Sequence, residues 1–569
     1  ALVLALSACG GAEPPAAPAA EATPETAQAI YTGGKVYTME PDSPWAEAIA
    51  VREGRILAIG GNAEVEALAG PATERIALEG RMVMPGINDM HAHLSQAGTK
   101  ELFECGFPFT LGVEEIVAKV RDCAARVPAG EWLRGGQWAM PLLDGPVKPS
   151  RELLDAAAPE HPVFLIDSTV HAAWLNSPAL AKLGIDDATA DPTGGVIARD
   201  ADGRATGILY DNAMYGNITK LPAYSTEQMM EALAWSIGQF NRVGVTTIRD
   251  AMVDRTALAG YVALDRAGRL DANIATSLAW RMLWAGPQEQ LELVIADRAS
   301  SATANVHVDF GKIMLDGIPP SRTAAVLDPY LPDAAHPADH RGYLTQTPES
   351  LKEDLVKLDA MGISVKMHAT GDRSARVALD AVEAARKANG ASGLWHEVSH
   401  AEMIHPDDLD RFAALGVVAE MSPILWYPSP LHTMMENALG LERTQRFWPV
   451  KSLLDRGALL DYGSDWPSVV PSANPWPGIE AMVTRRDPYT DADTALAPGE
   501  AIDLATALRI FTINGSRTIR LDANTGSLAK GKQADFIVLD RHLFEVAPEA
   551  IGETQVLRTV VRGKTVFSQ

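Results

Sequence analysis

Short apolar runs broken by tight turns open and close the chain, and longer alternating segments fill the middle. Near the front, Ala29 to Thr32, Lys35 to Met39, Ala46 to Val51 and Ile56 to Gly60 are separated by Gly33-Gly34 and by Arg52-Glu53-Gly54-Arg55. That pattern predicts short strands joined by turns. The far end repeats it in Gln533 to Asp540 and Val556 to Phe567. Segments 29–84 and 515–569 are therefore expected to build one composite β-sandwich, with a larger domain, 85–514, between them. Within it, apolar β-prone runs at Val83–Ile87, Gly244–Arg249, Asn273–Leu278, Lys312–Leu315, Ser364–Met367, Glu397–Ser399, Val417–Met421 and Leu459–Tyr462 alternate with helical stretches. Examples of the latter are Thr226–Arg242, Pro348–Met361, Arg373–Asn389 and His405–Leu415. Eight strand–helix units predict an α/β fold, a (β/α)8 TIM-like barrel. A long segment after the first strand, 94–224, reads as a structured insertion. At the catalytic face of a barrel such a segment makes a lid or substrate wall.

Composition narrows the function. The chain has 569 residues, is 47% hydrophobic and carries a formal charge of −24. No Lys/Arg-rich stripe is present, which argues against nucleic acid or anionic lipid as a partner. At the front, Leu6-Ser7-Ala8-Cys9 follows an apolar run and precedes a tract rich in Ala, Pro, Glu and Thr. Segment 1–28 is expected to be a truncated lipoprotein signal and flexible tether, with Cys9 lipidated. The protein is then exported and held at the periplasmic face of a bacterial membrane, touching it only through that anchor. Self-association as a homodimer stays open. The two other cysteines, Cys105 and Cys123, are expected to pair, since an exported chain meets an oxidising compartment.

The chemistry begins at Met82 to His93, an apolar run that ends in His91-Ala92-His93. Side chains alternate along a strand, so both imidazoles face one way and suit a divalent metal. On its own such a pair is better explained by one buried, hydrogen-bonded histidine and one loop histidine. The later strands supply more: Lys312 opening the fourth, His368 ending the fifth, His400 ending the sixth and Asp465 ending the eighth. A charged lysine is costly in an apolar strand. A neutral amine there can take up CO2 as a carbamate, an anionic oxygen ligand able to bridge two metals. Asp465 sits where a carboxylate can both bind metal and accept a proton from water. Trp138, His171, Arg322 and Tyr330 fall in loops facing the expected mouth and are the substrate-contact candidates. Each has a structural alternative: Trp138 as lid core with Trp174, His171 as a structural residue, Arg322 paired with Asp316. His396 and His405 read as structural, and Glu402 and Asp250 as partners of a ligand histidine. No Gly-x-Ser-x-Gly elbow lies in a strand-to-helix context, and no glycine-rich dinucleotide fingerprint follows a strand.

Taken together, Pro85-Gly86 with His91-Ala92-His93, Trp132 to Trp138, Gly244 to Thr247 with Asp250, Lys312 to Gly317, His368 to Arg373, Ser399-His400-Ala401, Ser464-Asp465 and Gly526 to Asp535 resemble the amidohydrolase superfamily. Within it, the motifs are similar to amidohydrolase family 3, the group that includes N-substituted formamide deformylase-like proteins. The resemblance implies a metal-dependent hydrolase of non-peptide C–N bonds, with one or two divalent ions, zinc first and manganese, cobalt or iron as alternatives. It implies that His91 and His93 hold the more buried ion, His368 and His400 the more exposed one, and N6-carboxylated Lys312 bridges them. Asp465 would also be the catalytic residue, shuttling the proton as hydroxide activated by metal attacks a small-molecule amide or formamide. A deaminase or cyclic-amide hydrolase of the same superfamily is the alternative. A non-catalytic periplasmic binding lipoprotein is the rival from another class.

Overall fold

In the computed structural model, residues 26–569 are described except 169–171, 193–194, 283–284, 333–335, 424–425, 469, 471 and 491. His171, Cys9 and the tract up to Glu25 therefore lie outside the described residues. Eight parallel strands form the central sheet: β1 (Ile87–Ala92), β2 (Val245–Val253), β3 (Asn273–Ala279), β4 (Val306–Met314), β5 (Ser364–His368), β6 (His396–Ser399), β7 (Val417–Met421) and β8 (Leu459–Tyr462). Strand neighbours follow chain order from β1 to β8. Beyond the last ladder, Asp465 N–H donates to His91 O (2.7 Å) and His93 N–H to Trp466 O (2.9 Å). Those two bonds draw the ends of β1 and β8 together and make a TIM-like barrel.

Two strand assignments from sequence need correction. The first barrel strand, expected over Val83–Ile87, is instead split, and its front part, Met82–Pro85, lies outside the barrel. That part pairs with Lys35-Val36 on one side and Phe536–Val538 on the other. The barrel strand starts only at Ile87, because Pro85 cannot donate into a ladder and Gly86 allows a close crossing. A Cβ at Gly86 would meet Thr246 Oγ1 at 2.1 Å. Likewise β4 begins at Val306, so Lys312 lies in its C-terminal part and not at its start. Its polar residues His307 and Asp309 break the apolar run that the sequence shows only from Ile313.

The outer sheets join the chain ends. One has the order Lys564–Ser568, Val556–Val561, Phe536–Leu539, Met82–Pro85, Lys35–Tyr37, Trp45-Ala46. A four-stranded sheet, Arg55–Gly60, Ala48–Arg52, Ala27–Thr32, Ala69–Ala77, packs beside it. Tyr31, Val51, Val83, Leu528, Phe536 and Val560 share the core between them. The segment after β1 carries its own six-stranded sheet, in which Leu133–Trp138 lies between Val163–Asp167 and Cys105-Gly106. Helix Val113–Ala124 turns Val113, Ile116, Val120 and Cys123 inward, an apolar stripe at helical spacing. A disulfide joins Cys105 to Cys123 (Cα–Cα 5.8 Å) and ties the sheet's edge to that helix. The chain re-enters the barrel through helix Thr226–Arg242, which Ser225 and Gln228 open with reciprocal side-chain-to-backbone bonds.

Candidate metal centre

At the C-terminal end of the barrel, β1 and the turn after it present His91 and His93, whose rings lie 5.4 Å apart. His400, just past β6, lies 4.7 Å from the His91 ring and 4.7 Å from that of His368 at the end of β5. Asp465 follows β8 with its Oδ1 3.0 Å from His93 Nε2 and 3.5 Å from His91 Nε2. Lys312 Nζ comes within 3.1 Å of His91 Nε2 from β4. The six residues expected as ligands from sequence thus converge on one end of the barrel.

Burial sets their chemistry. His91 and His368 are pushed well below the usual histidine range, first by loss of water and then by the cationic neighbours Lys312 and His400. Burial lowers His400 as well. Neutral imidazoles have a lone pair to give. Lys312 is lowered to about 7, again chiefly by burial, with Lys366 adding repulsion. Burial works against ionising Asp465, but the His93 hydrogen bond and the nearby His91 and His400 outweigh it and hold the carboxylate below its ordinary range. Gly317 O accepts from His368 Nε2 (3.2 Å), so the ring's proton sits there and Nδ1 carries the lone pair.

These residues fit a divalent cation. Four-coordinate bonds of about 2.1 Å set ligand atoms roughly 3.4 Å apart. The 3.0 and 3.5 Å separations from Asp465 to the two β1 histidines match that edge. One ligand atom each from His91, His93 and Asp465 lies within 4.8 Å of the others, and the same holds for His91, His400 and Glu420. Among the described residues, His93 Nδ1 is buried with no hydrogen-bond partner.

The substrate-contact candidates fare differently. Trp138 is fully buried in the insertion core, where its Nε1–H donates to Leu165 O at 3.0 Å. Tyr330 is buried and donates to Ala324 O at 2.9 Å. Arg322 donates to Leu331 O (2.5 Å) and Asn437 O (3.4 Å) and lies over the Tyr330 ring. In these positions all three bond to backbone carbonyls of the surrounding segments. Asp316 is held by the N–H groups of Ala325 (2.9 Å), Thr370 (3.2 Å) and Gly371 (3.0 Å) and by Ser374 Oγ (2.6 Å). His396 bridges Val365 N and Asp359 at the far end of the barrel, and His405 caps Asp407 N. Asp250 accepts from the Tyr261 hydroxyl at 2.7 Å.

Sequence reasoning missed a second tier beneath the ligands. Arg249, Lys366, Glu397 and Glu420 are all fully buried inside the barrel. Arg249 ion-pairs with Glu397, and Glu397 with Lys366. Lys366 Nζ is 3.5 Å from Glu420, whose Oε2 lies 2.5 Å from His91 Nδ1. The signal was available: charged residues in the apolar runs Val365–Met367 and Val417–Met421, of the kind that singled out Lys312. Asp89 was missed too. It accepts from His91 N (3.0 Å) and Ser464 N (3.1 Å), stitching β1 to the β8 loop, and burial raises its carboxyl to about 7.

Comparison with known proteins places this geometry. Residues 74–567 match the profile of the amidohydrolase family. The chain is 29% identical to N-substituted formamide deformylase of Arthrobacter pascens, covering 94% of this chain and 97% of that one. It is 29% identical to the protein LONG AFTER FAR-RED 3 of Arabidopsis thaliana, covering 95% and 92%. Among solved structures, an uncharacterized metal-dependent hydrolase from Pyrococcus horikoshii OT3 superposes with a TM-score of 0.73 at 23% identity, covering 91% of this chain and 99% of that one.

Proposed function

The chain belongs to the amidohydrolase family and is a metal-dependent hydrolase acting on carbon–nitrogen bonds, and from that premise we propose that it cleaves a non-peptide amide or formamide bond in a small molecule. The observation that carries this is Asp465: an ionised carboxylate at the end of β8, within 3.0 Å of His93 and 3.5 Å of His91. The likeness to N-substituted formamide deformylase over nearly the whole of both chains supports the formamide class.

When bound, a divalent ion, zinc first, supplies Lewis-acid polarisation of the scissile carbonyl and acidifies water. His91, His93, His368, His400, Lys312 and Asp465 are the residues that would hold it. Asp465 does the proton work. Its free oxygen accepts a proton from the attacking water as the new C–O bond forms. It then delivers that proton to the departing nitrogen as the C–N bond breaks, leaving a carboxylic acid and an amine. Lys312, an amine poised near neutrality by burial, can add CO2 and present a carbamate oxygen to the same cluster. The proposal also has the enzyme exported and anchored through Cys9. The Cys105–Cys123 disulfide supports that reading, since such bonds persist in oxidising compartments.

The test is Asp465→Asn assayed on a panel of N-formyl, N-acyl and cyclic amides with Zn or Mn, following amine release. The expected result is an unchanged fold and metal content with kcat lower by roughly 10²–10⁴-fold. Full turnover in the variant would refute the role of Asp465. Release from cyclic amides alone would replace the linear substrate class.

A further inference from the structure

The Nδ1 side of His91 and that of His400 both lead to the end of β7. Glu420 Oε2 stands 2.5 Å from His91 Nδ1. Its other oxygen, Oε1, accepts from the Ser422 hydroxyl at 3.3 Å, and that hydroxyl lies 3.4 Å from His400 Nδ1. Glu420, on β7, and Ser422, one residue past its end, reach the two rings together. A carboxylate only accepts, so the proton shared with His91 belongs to Nδ1. Ser422 has one proton and directs it to Glu420, so its oxygen is left to accept from His400 Nδ1–H. Each ring then turns an Nε2 lone pair away from β7. For His91 that nitrogen is the one 3.5 Å from Asp465 and 3.1 Å from Lys312.

We infer that Glu420, relayed to His400 through Ser422, is a positioning residue that fixes the tautomers of His91 and His400 so that both present Nε2 to the metal centre. The remaining buried charges hold Glu420 still. Lys366 sits 3.5 Å away and pairs with Glu397, directly opposite it across β5 and β6, and Glu397 pairs with Arg249. Arg249 is itself clamped by Ser277 Oγ at 2.8 Å and by the Phe310 ring face. Positive and negative groups alternate along this line, which reaches the His91 ring through Glu420. Packing alone gives no reason for the line to stop at two imidazole nitrogens, since apolar residues of similar volume would fill the barrel at no lower stability. Orienting ligand histidines does, because a carboxylate behind an imidazole fixes its tautomer and raises its basicity as a ligand.

The inference rests on the metal-centre assignment, and its test separates the two. In metal-free wild-type protein labelled with 15N-histidine, two-bond couplings report which nitrogen of each ring is protonated. His91→Asn and His400→Asn spectra assign the two signals among the 13 histidines. Both are expected as Nδ1–H, and an Nε2–H form for either overturns the inference whether or not metal binds. Zn2+ affinity is then measured by chelator competition. Glu420→Gln should raise the dissociation constant about 10–100-fold and Ser422→Ala about tenfold. Glu397→Gln, which removes a carboxylate from the same line without touching a ligand, should leave it within about threefold. A folded Glu420→Gln or Ser422→Ala protein with wild-type affinity overturns the inference, as does an equal loss in Glu397→Gln. If Glu420→Gln does not fold, Ser422→Ala and the wild-type tautomers decide. Absence of Zn2+ binding by the wild type would sink the metal centre and leave the tautomer result standing.

Discussion

Replacing Lys366 by methionine removes the cation on which two buried carboxylates depend. Methionine keeps the length and apolar stem of the side chain, so packing inside the barrel changes little. What is lost is the ion pair with Glu397 and the 3.5 Å attraction to Glu420. At that separation, one unit-charge attraction amounts to about 4–5 kcal/mol at an effective dielectric of about 20. Removing the ammonium also relieves its own desolvation. The net cost of breaking a buried pair from one side is about 3–5 kcal/mol, because the surviving carboxylate stays buried. Against a domain stability of about 5–15 kcal/mol, that is a large fraction. Guanidinium unfolding of the metal-free protein, followed by emission of the buried tryptophans Trp426, Trp448 and Trp476, measures it. Lys366→Met should lower the midpoint accordingly. The double variant Lys366→Met/Glu420→Gln should lose less than the sum of the two single variants by about 1 kcal/mol or more, since both remove one shared interaction. A loss under about 1 kcal/mol for Lys366→Met, the range of a solvent-exposed pair, would refute the coupling of these buried charges.

The pH dependence of the site and the staple on the insertion give two further expectations. Lys312 has a folded-state pKa of about 7 against an ordinary value of 10.5, so between these pH values the unfolded chain binds a proton that the native one does not. Stability of the metal-free protein should therefore rise with pH across that window by about 1.4 kcal/mol per unit from this group, and be lost as pH falls toward 7. Lys312→Met should flatten the curve by that amount, and parallel curves for the two proteins would reject the burial argument. Opening the 18-residue disulfide loop by Cys105→Ser/Cys123→Ser frees the unfolded chain by about 3 kcal/mol. Hydrogen exchange at the Cys105-Gly106 edge and along helix Val113–Ala124 should accelerate, while the barrel strands keep their protection; unchanged exchange in the insertion would count against it.

The barrel was legible because parallel strands covered on both faces are near-continuous apolar runs. Val417–Met421 and Leu459–Tyr462 stand out as such runs despite Glu420 and Asp461, and the structure returns both with the same bounds. The convergence of the candidate ligands was legible because imidazole and carboxylate at strand ends have no packing excuse. Edges were lost where a local break and a fold boundary look alike. Pro85-Gly86 interrupts one continuous apolar stretch, and the strand expected over Val83–Ile87 runs across the point where the chain changes sheets, since the partner strand, Phe536–Val538, comes from the other end of the chain. The insertion tryptophans illustrate a different limit. Trp138 offers one face and one N–H, and whether these meet a substrate or Leu165 O depends on how the insertion sheet packs, which no short motif encodes.

The missed tier follows from the same economy of reasoning that found Lys312. A lysine in an apolar strand suggests metal chemistry only when the neighbouring strands bring other ligands to the same level. Lys366 sits directly across from Lys312 in the β4–β5 register, yet the two do different things. Lys312 Nζ reaches His91 Nε2 at 3.1 Å, on the reacting side of the ring. Lys366 lies among Glu397 and Glu420, on the side of Nδ1. Two lysines of identical local sequence character are thus separated by which nitrogen of one histidine they face. That distinction is made by the barrel's register, with Lys366 opposite Glu397 and Glu420 opposite Asp461. His91 is where the two tiers meet, with a carboxylate behind it and the candidate metal ligands before it. A change on the β7 side therefore has to be felt as a change in what the Nε2 side can hold.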